Sequence, residues 1–344
     1  MEKAAARPNA TDRPPEENPE AAEATLDGLL DSDPALRWQV MRDLAGAPPE
    51  AVAEERGRVA TAGMGARLLA LQGADGRWGG TAWNRGFDST MHVLLLLKDL
   101  GLDPESGPAR RALALVEKHV TWAGCGPEEC ARNPFFAGEV EPCINGQVAS
   151  AGAYFGADVR GIVHRLLAEQ LPDGGWNCEA ENGSTRSSFH TTICVLEALW
   201  EHERRSPGNP EIPAVAAARR RGEEYLLERH LFHAKSTGKA IDHDRKAGPG
   251  NRHDGPAFTR FAFPTWWHYD VLRGLEYFRH TGAARDERMA EAIELVRSKR
   301  DGDGMWPLEV RYPGTMPIEL GETEGSPSRW ITLRALRVLR VLDR

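Results

Sequence analysis

Apolar residues recur along most of the chain at intervals of three and four positions, which is the spacing of one face of an α-helix. The segments 109–120 and 214–228 show this pattern, and the alternation of apolar and polar residues typical of β-strands is missing. The pattern predicts an all-α protein. Adjacent apolar segments are close enough in sequence to pair as helical hairpins, about five or six in number.

Three of the predicted helices end in a similar turn. The segments 72–78, 170–176 and 300–306 share the order Asp-Gly-x-Trp, and the first two also begin with Gln. Gly tolerates a positive φ and Asp bonds to nearby backbone amides, so this order ends a helix and reverses the chain. Repetition of such a unit is typical of a stacked or closed helical array.

The order Gln-x-x-Asp-Gly-x-Trp resembles the QW motif of squalene and oxidosqualene cyclases, whose shortened forms occur in protein prenyltransferase β-subunits. The resemblance covers about residues 60 to 344 and implies an α/α toroid, which is a closed ring of hairpins. An open solenoid is the structural alternative. The segment 1–24 is rich in Ala, Pro and Glu, so we expect a disordered tail there and one toroid domain over residues 25–344.

Charge and composition narrow the function classes. The formal net charge of −8 argues against a nucleic-acid surface, which needs clustered Lys and Arg. No apolar run approaches the roughly 20 residues of a membrane span, and the N-terminus has no signal-peptide pattern. We therefore expect a cytoplasmic protein whose five cysteines are thiols or metal ligands. The oligomeric state is not predicted.

Long connections separate the first and second helix of each predicted hairpin, and loops of this length inside a compact domain usually carry function. Since connections of one kind lie at one end of a hairpin ring, a site is expected at that end. The loop that holds His243 and His253 is polar and could form a lid. A solvated loop is the simpler interpretation.

Two helix starts carry side chains that bind metals. Glu141 and Cys143 open one predicted helix, and His190 opens the second helix of the next hairpin. Carboxylate, thiolate and imidazole are ligands of Zn²⁺ at catalytic sites that keep one position open. Buried structural roles for the Cys and His are the alternative, as is a structural metal on Cys125, Cys130 and Cys143.

The same residues are similar to the zinc site of protein prenyltransferase β-subunits. In that family an Asp-x-Cys opens one inner helix, and a His follows a Gly-rich turn in the next hairpin. The resemblance implies that Cys143 and His190 hold Zn²⁺, and that Glu141 replaces the Asp of the family.

The densest aromatic stretch is 261–270, in which Pro264 is typical of a helix start. Aromatic walls suit apolar or cationic ligands. We expect five side chains to line a substrate cavity, although ordinary core packing is the simpler interpretation: Phe263, Trp266, Trp267, Trp176 and Trp330.

Three further residues are candidates for chemistry at the same mouth. His268 is a candidate general acid–base. Arg186 and Arg329 flank helix starts, where they could clamp a phosphate or carboxylate, and surface ion pairing is the alternative. All three are assigned from position in the sequence alone.

These observations predict a zinc-dependent enzyme that acts on an apolar, isoprenoid-like small molecule in a toroid cavity, as a transferase, lyase or hydrolase. The chain has no strongly acidic Asp-x-Asp-Asp group and no Asp-Asp-x-x-Asp cluster. Two alternatives remain open. One is a metal-free enzyme that resembles terpene cyclases, and the other is a non-catalytic ring that binds a lipid or a protein partner.

Overall fold

A computed structural model describes residues 19–124, 128–241, 244–245, 254–255 and 257–342. Cys125, His243 and His253 lie outside the described residues, as does most of the predicted tail. The first helix begins at Pro19, ahead of the expected domain start at residue 25. Proline suits this position because its missing N–H is not needed in the first turn.

The described part of the chain is almost entirely helical. Six helices are buried along most of their length and form the inner layer: α2 (Pro34–Asp43), α5 (Thr90–Asp99), α7 (Pro142–Phe155), α9 (Phe189–Arg205), α11 (Val271–Thr281) and α13 (Arg329–Leu342). The others lie outside them or connect them: α1 (Pro19–Leu30), α3 (Pro49–Arg58), α4 (Gly63–Ala70), α6 (Gly107–His119), α8 (Arg160–Ala168), α10 (Ile212–Leu227) and α12 (Ala290–Ser298).

The six inner helices form a closed ring. Each packs on the next in chain order from α5 to α13, and α13 packs on α2. The ring closes between α2 and α5, where Trp38 Nε1 donates to Leu100 O at 3.0 Å and Gln39 Nε2 donates to Asp99 O at 3.1 Å. Each inner helix follows an outer helix in the chain, so the described residues form six hairpins. This arrangement is an α/α toroid and confirms the predicted fold.

The repeated turn has one structure in all three places. The indole N–H of Trp78, Trp176 and Trp306 donates to the carbonyl ten residues earlier, at 2.6–2.7 Å. Gly76, Gly174 and Gly304 have φ of +78°, +96° and +83°, which is the conformation that glycine tolerates. The turn therefore locks the tryptophan into the layer between inner and outer helices.

Small residues bring α7 and α9 unusually close together. A Cβ added at Gly146 would lie 2.7 Å from the Cys194 carbonyl carbon, so only glycine permits this approach. The close packing fixes the first turns of the two helices relative to each other, and the candidate metal ligands are in or beside these turns.

The β-strands of the described residues form two short antiparallel pairs, and four isolated β-bridges lie outside them. β1 (Asp244–Arg245) pairs with β2 (Asp254–Gly255), and β3 (Trp306–Pro307) pairs with β4 (Pro327–Ser328). The second pair joins the last repeated turn to the start of α13.

Candidate functional site

Three metal-binding side chains converge at the start of α7. The ligand atoms of Glu141, Cys143 and Cys178 all lie within 4.8 Å of one another, and Cys143 Sγ is 3.7 Å from Glu141 Oε2. Two thiolates and one carboxylate form a donor set that Zn²⁺ accepts, with one tetrahedral position left over. The residues present therefore match the chemistry of a zinc centre.

The local structure explains how these side chains meet. Pro142 occupies the first turn of α7, so Glu141 and Cys143 flank a fixed helix start. Cys178 lies in a short 3-10 turn two residues after Trp176, and the Asn177 side chain caps this turn by accepting from Glu179 N at 3.0 Å. Cys178 Sγ is 3.5 Å from Thr191 Oγ1 in α9. The second repeated turn thus positions the third candidate ligand, Cys178, beside Glu141 and Cys143.

His190 lies near this group but is not part of it. Its Nδ1 accepts a hydrogen bond from the backbone N–H of Tyr269 at 2.7 Å, and its ring contacts the rings of Trp267 and His268 edge-on. A neutral imidazole that accepts at Nδ1 carries its proton on Nε2. In this arrangement Nδ1 is engaged by the backbone, and the role of His190 as a metal ligand stays a prediction.

The thiols differ in their surroundings. A hydrogen bond with Cys178, together with burial, holds the pKa of Cys143 well above its ordinary value. Burial raises the pKa of Cys194 to about 12, and Cys194 Sγ contacts Trp267 O at 3.6 Å. Cys194 is therefore a neutral thiol of the core, directly behind the group of three.

A cavity of about 580 Å³ lies inside the ring, among the C-terminal halves of the inner helices. Its wall is strongly charged, with nine Arg and Lys side chains against five Asp and Glu. The sequence analysis placed the site at the opposite end, where the inner helices begin. That end holds the three candidate ligands at the start of α7, and it also holds the segment 258–270, whose aromatic side chains are mostly buried.

Three of the five expected aromatic residues line the cavity: Phe263, Trp266 and Trp330. Phe263 stacks on Trp330 with ring centroids 4.4 Å apart, and Trp266 stacks on Phe87 at 4.5 Å. They form the aromatic floor of the cavity, toward the N-termini of the inner helices. Phe263 and Trp266 come from a loop rather than a helix, because α11 begins only at Val271 after an N-cap by Asp270, whereas Trp330 lies in the first turn of α13. The helix start expected at Pro264 is wrong.

The other expected site residues do not line the cavity. Trp176 is fully buried beside Gly222, between inner and outer helices. Trp267 and His268 stack on each other at 3.7 Å, outside the lining. Arg186 and Arg329 are exposed at the ends of their loops. The general acid–base role of His268 and the clamp role of the two arginines stay predictions.

The candidate metal ligands and the cavity are joined along one face of α7. Along α7 one stripe runs from Cys143 through Gln147 and Ser150 to Tyr154, at i, i+4, i+7 and i+11, and Tyr154 lines the cavity. Eleven residues of helix span roughly 16 Å. Among the described atoms, Gln147 Oε1 and Ser150 Oγ are buried without a hydrogen-bond partner. A row of polar side chains on α7 therefore runs from the candidate metal ligands to the cavity.

Sequence reasoning missed Cys178 and the charged wall. Cys178 could have been found from its place two residues after a repeated Trp, in the loop that leads to His190. Helix α9 contributes Glu197 and Glu201 to the wall, on the same helix face as His190 and Cys194. Apolar periodicity does not reveal this stripe. Polar residues on one face of a helix usually face the outer solvent, whereas these face the inside of the ring.

The pKa of Glu276 reports how the arginines of the cavity wall act on a buried carboxylate. The Glu276 carboxylate contacts Arg279 at 2.9 Å and Arg337 at 3.6 Å. Burial alone would raise its pKa, but these two arginines lower it from 4.5 to about 2. Because the folded pKa lies below the ordinary one, the stabilisation is complete above about pH 4.5 and is lost as the pH falls toward 2.

We expect Glu276→Gln to be less stable than the unmodified protein at pH 7 by roughly 3 kcal/mol, and to lose less stability on acidification. Thermal unfolding midpoints at about pH 7, 5, 4 and 3 measure both effects. Glu294→Gln is the control, because Glu294 is an exposed partner of Arg297 in α12. Acid curves that run parallel for Glu276→Gln and the unmodified protein would contradict the assignment.

The chain is similar to solved structures of a terpene cyclase. The apo structure of the type II terpene cyclase MstE from Scytonema shares 18% identity, with a TM-score of 0.41, over 93% of this chain and 95% of that chain. A second MstE structure, in complex with geranylgeranyl dihydroxybenzoate, has the same identity and TM-score over 93% and 94% of the two chains. No family model and no curated protein matches the chain.

None of the helices in the described segments is both long and apolar enough to span a bilayer.

Proposed function

We propose that this protein is a zinc-dependent enzyme that acts on a small molecule with an apolar, isoprenoid-like part. Glu141, Cys143 and Cys178 would hold the ion. The observation that carries the proposal is the convergence of these three ligand atoms within 4.8 Å at the start of α7. Zn²⁺ bound there supplies a Lewis acid that activates a thiolate or water, or polarises an electrophile.

The protein's own residues would set the conditions for this chemistry. The aromatic floor formed by Phe263, Trp266 and Trp330 offers a flat apolar surface for the substrate. His190 is left out of the proposed ligand set, because its Nδ1 accepts a hydrogen bond from Tyr269 N. With its proton on Nε2 it would act as a hydrogen-bond donor beside the metal group.

Elemental analysis of purified protein tests the metal. We expect one zinc per chain, and a fall in zinc affinity of at least roughly 100-fold in Cys143→Ala and in Cys178→Ala, because each removes one of three protein ligands. Cys130→Ala is the matched control, since Cys130 is a buried thiol outside the group. Circular dichroism checks that the helical signal is kept in all three variants.

Cobalt substitution gives a second measurement. Thiolate ligands to Co²⁺ produce charge-transfer absorption, which we expect to be reduced in both ligand variants and unchanged in Cys130→Ala. Purified protein without zinc that converts a polyprene would favour the metal-free alternative. Zinc retained at one per chain in Cys143→Ala would remove the proposed site.

A further inference from the structure

We propose that the charged part of the central cavity binds an anionic group of a small-molecule ligand, a phosphate or a carboxylate, with Arg56 and Arg334 as direct partners. The inference deepens the proposed function by naming the polar end of the substrate, and it rests on the cavity being the substrate site. It does not depend on the metal.

The charge balance of the wall points to an anion. Nine cationic side chains against five anionic ones line a concave surface in a chain whose formal net charge is −8. Positive charge is thus concentrated inside the ring, while the chain as a whole is acidic. A cleft with one dominant sign of charge and low-dielectric walls focuses the potential and attracts ligands of opposite charge.

Most of these cations already have carboxylate partners. Arg273 is paired with Glu197, and Arg337 with Asp43, both at 2.7 Å. Within each pair the two charges largely cancel, and few N–H groups of the arginine are left for a ligand. We therefore do not assign them as the anion-binding groups.

Arg56 and Arg334 differ from the rest. Arg56 donates to Gly101 O and to the Tyr154 hydroxyl, both at 3.0 Å, and Arg334 Nη1 donates to Ala262 O at 3.2 Å. Neither has a carboxylate within 4.0 Å in the described segments of the chain, although both line the cavity and are half-buried. Arg334 thus keeps Nε and Nη2 for a planar or tetrahedral anion, in the geometry that guanidinium groups use.

Compensation of helix dipoles does not account for Arg334. Cations in the last turn of a helix offset the partial negative charge of its C-terminus, and this explains Arg42, Lys98 and Arg279 and applies to Arg56 in α3 as well. Arg334 is the sixth residue of α13, far from its C-terminal turn. Its position inside the ring has no such structural reason.

The position of Arg334 also sets the shape of the ligand. The residue it contacts, Ala262, directly precedes Phe263 of the aromatic floor. An anionic group on Arg334 would therefore be continuous with an apolar part stacked on Phe263 and Trp330. A ligand with an apolar body and a phosphate or carboxylate head satisfies both ends of the cavity.

Isothermal titration calorimetry at low ionic strength tests the inference, with inorganic phosphate and citrate as separate probes. We expect at least one of them to bind, and the stronger one identifies the head group as phosphate or carboxylate. Arg334→Met and Arg56→Met should each weaken binding about tenfold or more. Arg110→Met removes the same charge from the outer helix α6, where Arg110 pairs with exposed Glu105, and should leave binding unchanged.

Absence of binding by both anions, or equal weakening in Arg110→Met and Arg334→Met, would overturn the inference. If Arg334→Met does not fold, Arg56→Met is compared with Arg110→Met instead. Arg56 lies in α3 and contacts Gly101 and Tyr154, whereas Arg334 lies in α13 and contacts Ala262. Titration of Cys143→Ala separates this inference from the proposed function. Anion binding that persists there supports the charged site whether or not the protein binds zinc.

Discussion

Trp176→Ala is expected to destabilise the protein by about 3–5 kcal/mol, the usual cost of deleting a large buried aromatic side chain. Trp176 is fully buried, and its indole N–H donates to Leu166 O at 2.7 Å. Removing it leaves a cavity between inner and outer helices and an unsatisfied carbonyl. The midpoint of urea unfolding, followed by circular dichroism, measures the loss.

The structure offers a matched control for this variant. Trp83 is half-buried and lies outside the three repeated turns, so Trp83→Ala should cost clearly less, about 1 kcal/mol. Equal losses in the two variants would mean that burial of any tryptophan matters and that the repeated turn has no special role. The effect on Trp176 should extend to the metal group, because Cys178 follows it by two residues in the same loop.

The helical architecture was predictable because the residues that determine each turn lie close together in the sequence. A Gly at positive φ and a Trp whose indole reaches back ten residues recur three times, and each copy imposes the same turn wherever it occurs. Helix periodicity then gives the hairpins. Closure of the ring is the step that depends on residues most distant in sequence, because α13 packs on α2 through Arg337, Gln39 and Asp43, and the resemblance to toroid families supplied it.

The candidate site was predictable only in part, for a physical reason. Glu141 and Cys143 are near in sequence and were found together. Cys178 joins them only because Gly146 lets α7 approach α9 closely, and that approach is a tertiary property. His190 was expected as a ligand from its place at a helix start. In the structure it also accepts a hydrogen bond from Tyr269, 79 positions away, which no local pattern in the sequence predicts.

The charged wall was hidden for a different reason. In most soluble helices a polar stripe faces the outer solvent, so Glu197 and Arg273 look like surface residues in the sequence. A ring has a second polar surface on its inside, and both residues belong to that surface. Nothing in one helix alone tells which of the two surfaces its polar stripe will face.

Arg273→Met is expected to have an effect as large as that of Trp176→Ala, about 3–5 kcal/mol, because it leaves a charge without its partner in the wall of the ring. Arg273 Nε and Nη2 donate to the two Glu197 carboxylate oxygens at 2.8 and 2.7 Å. Its Nη1 also donates to the carbonyls of Trp266 and His268. One side chain thus joins α9 to the loop that forms the aromatic floor.

A double-mutant cycle separates these two roles. Glu197→Met alone should also cost about 3–5 kcal/mol, whereas Arg273→Met with Glu197→Met should be more stable than either single variant, because no lone charge remains. The double variant should still fall short of the unmodified protein by about 1–3 kcal/mol, since the Trp266 and His268 carbonyls lose their donor.

The exposed pair Glu105–Arg110 is the control, for which Arg110→Met should cost less than about 1 kcal/mol. Urea unfolding midpoints of all five proteins complete the comparison. Additive losses in the double variant would mean that Arg273 and Glu197 act independently. The loop would then have to be held in place by the stacking of Phe263 on Trp330 and of Trp266 on Phe87, rather than by the charged wall.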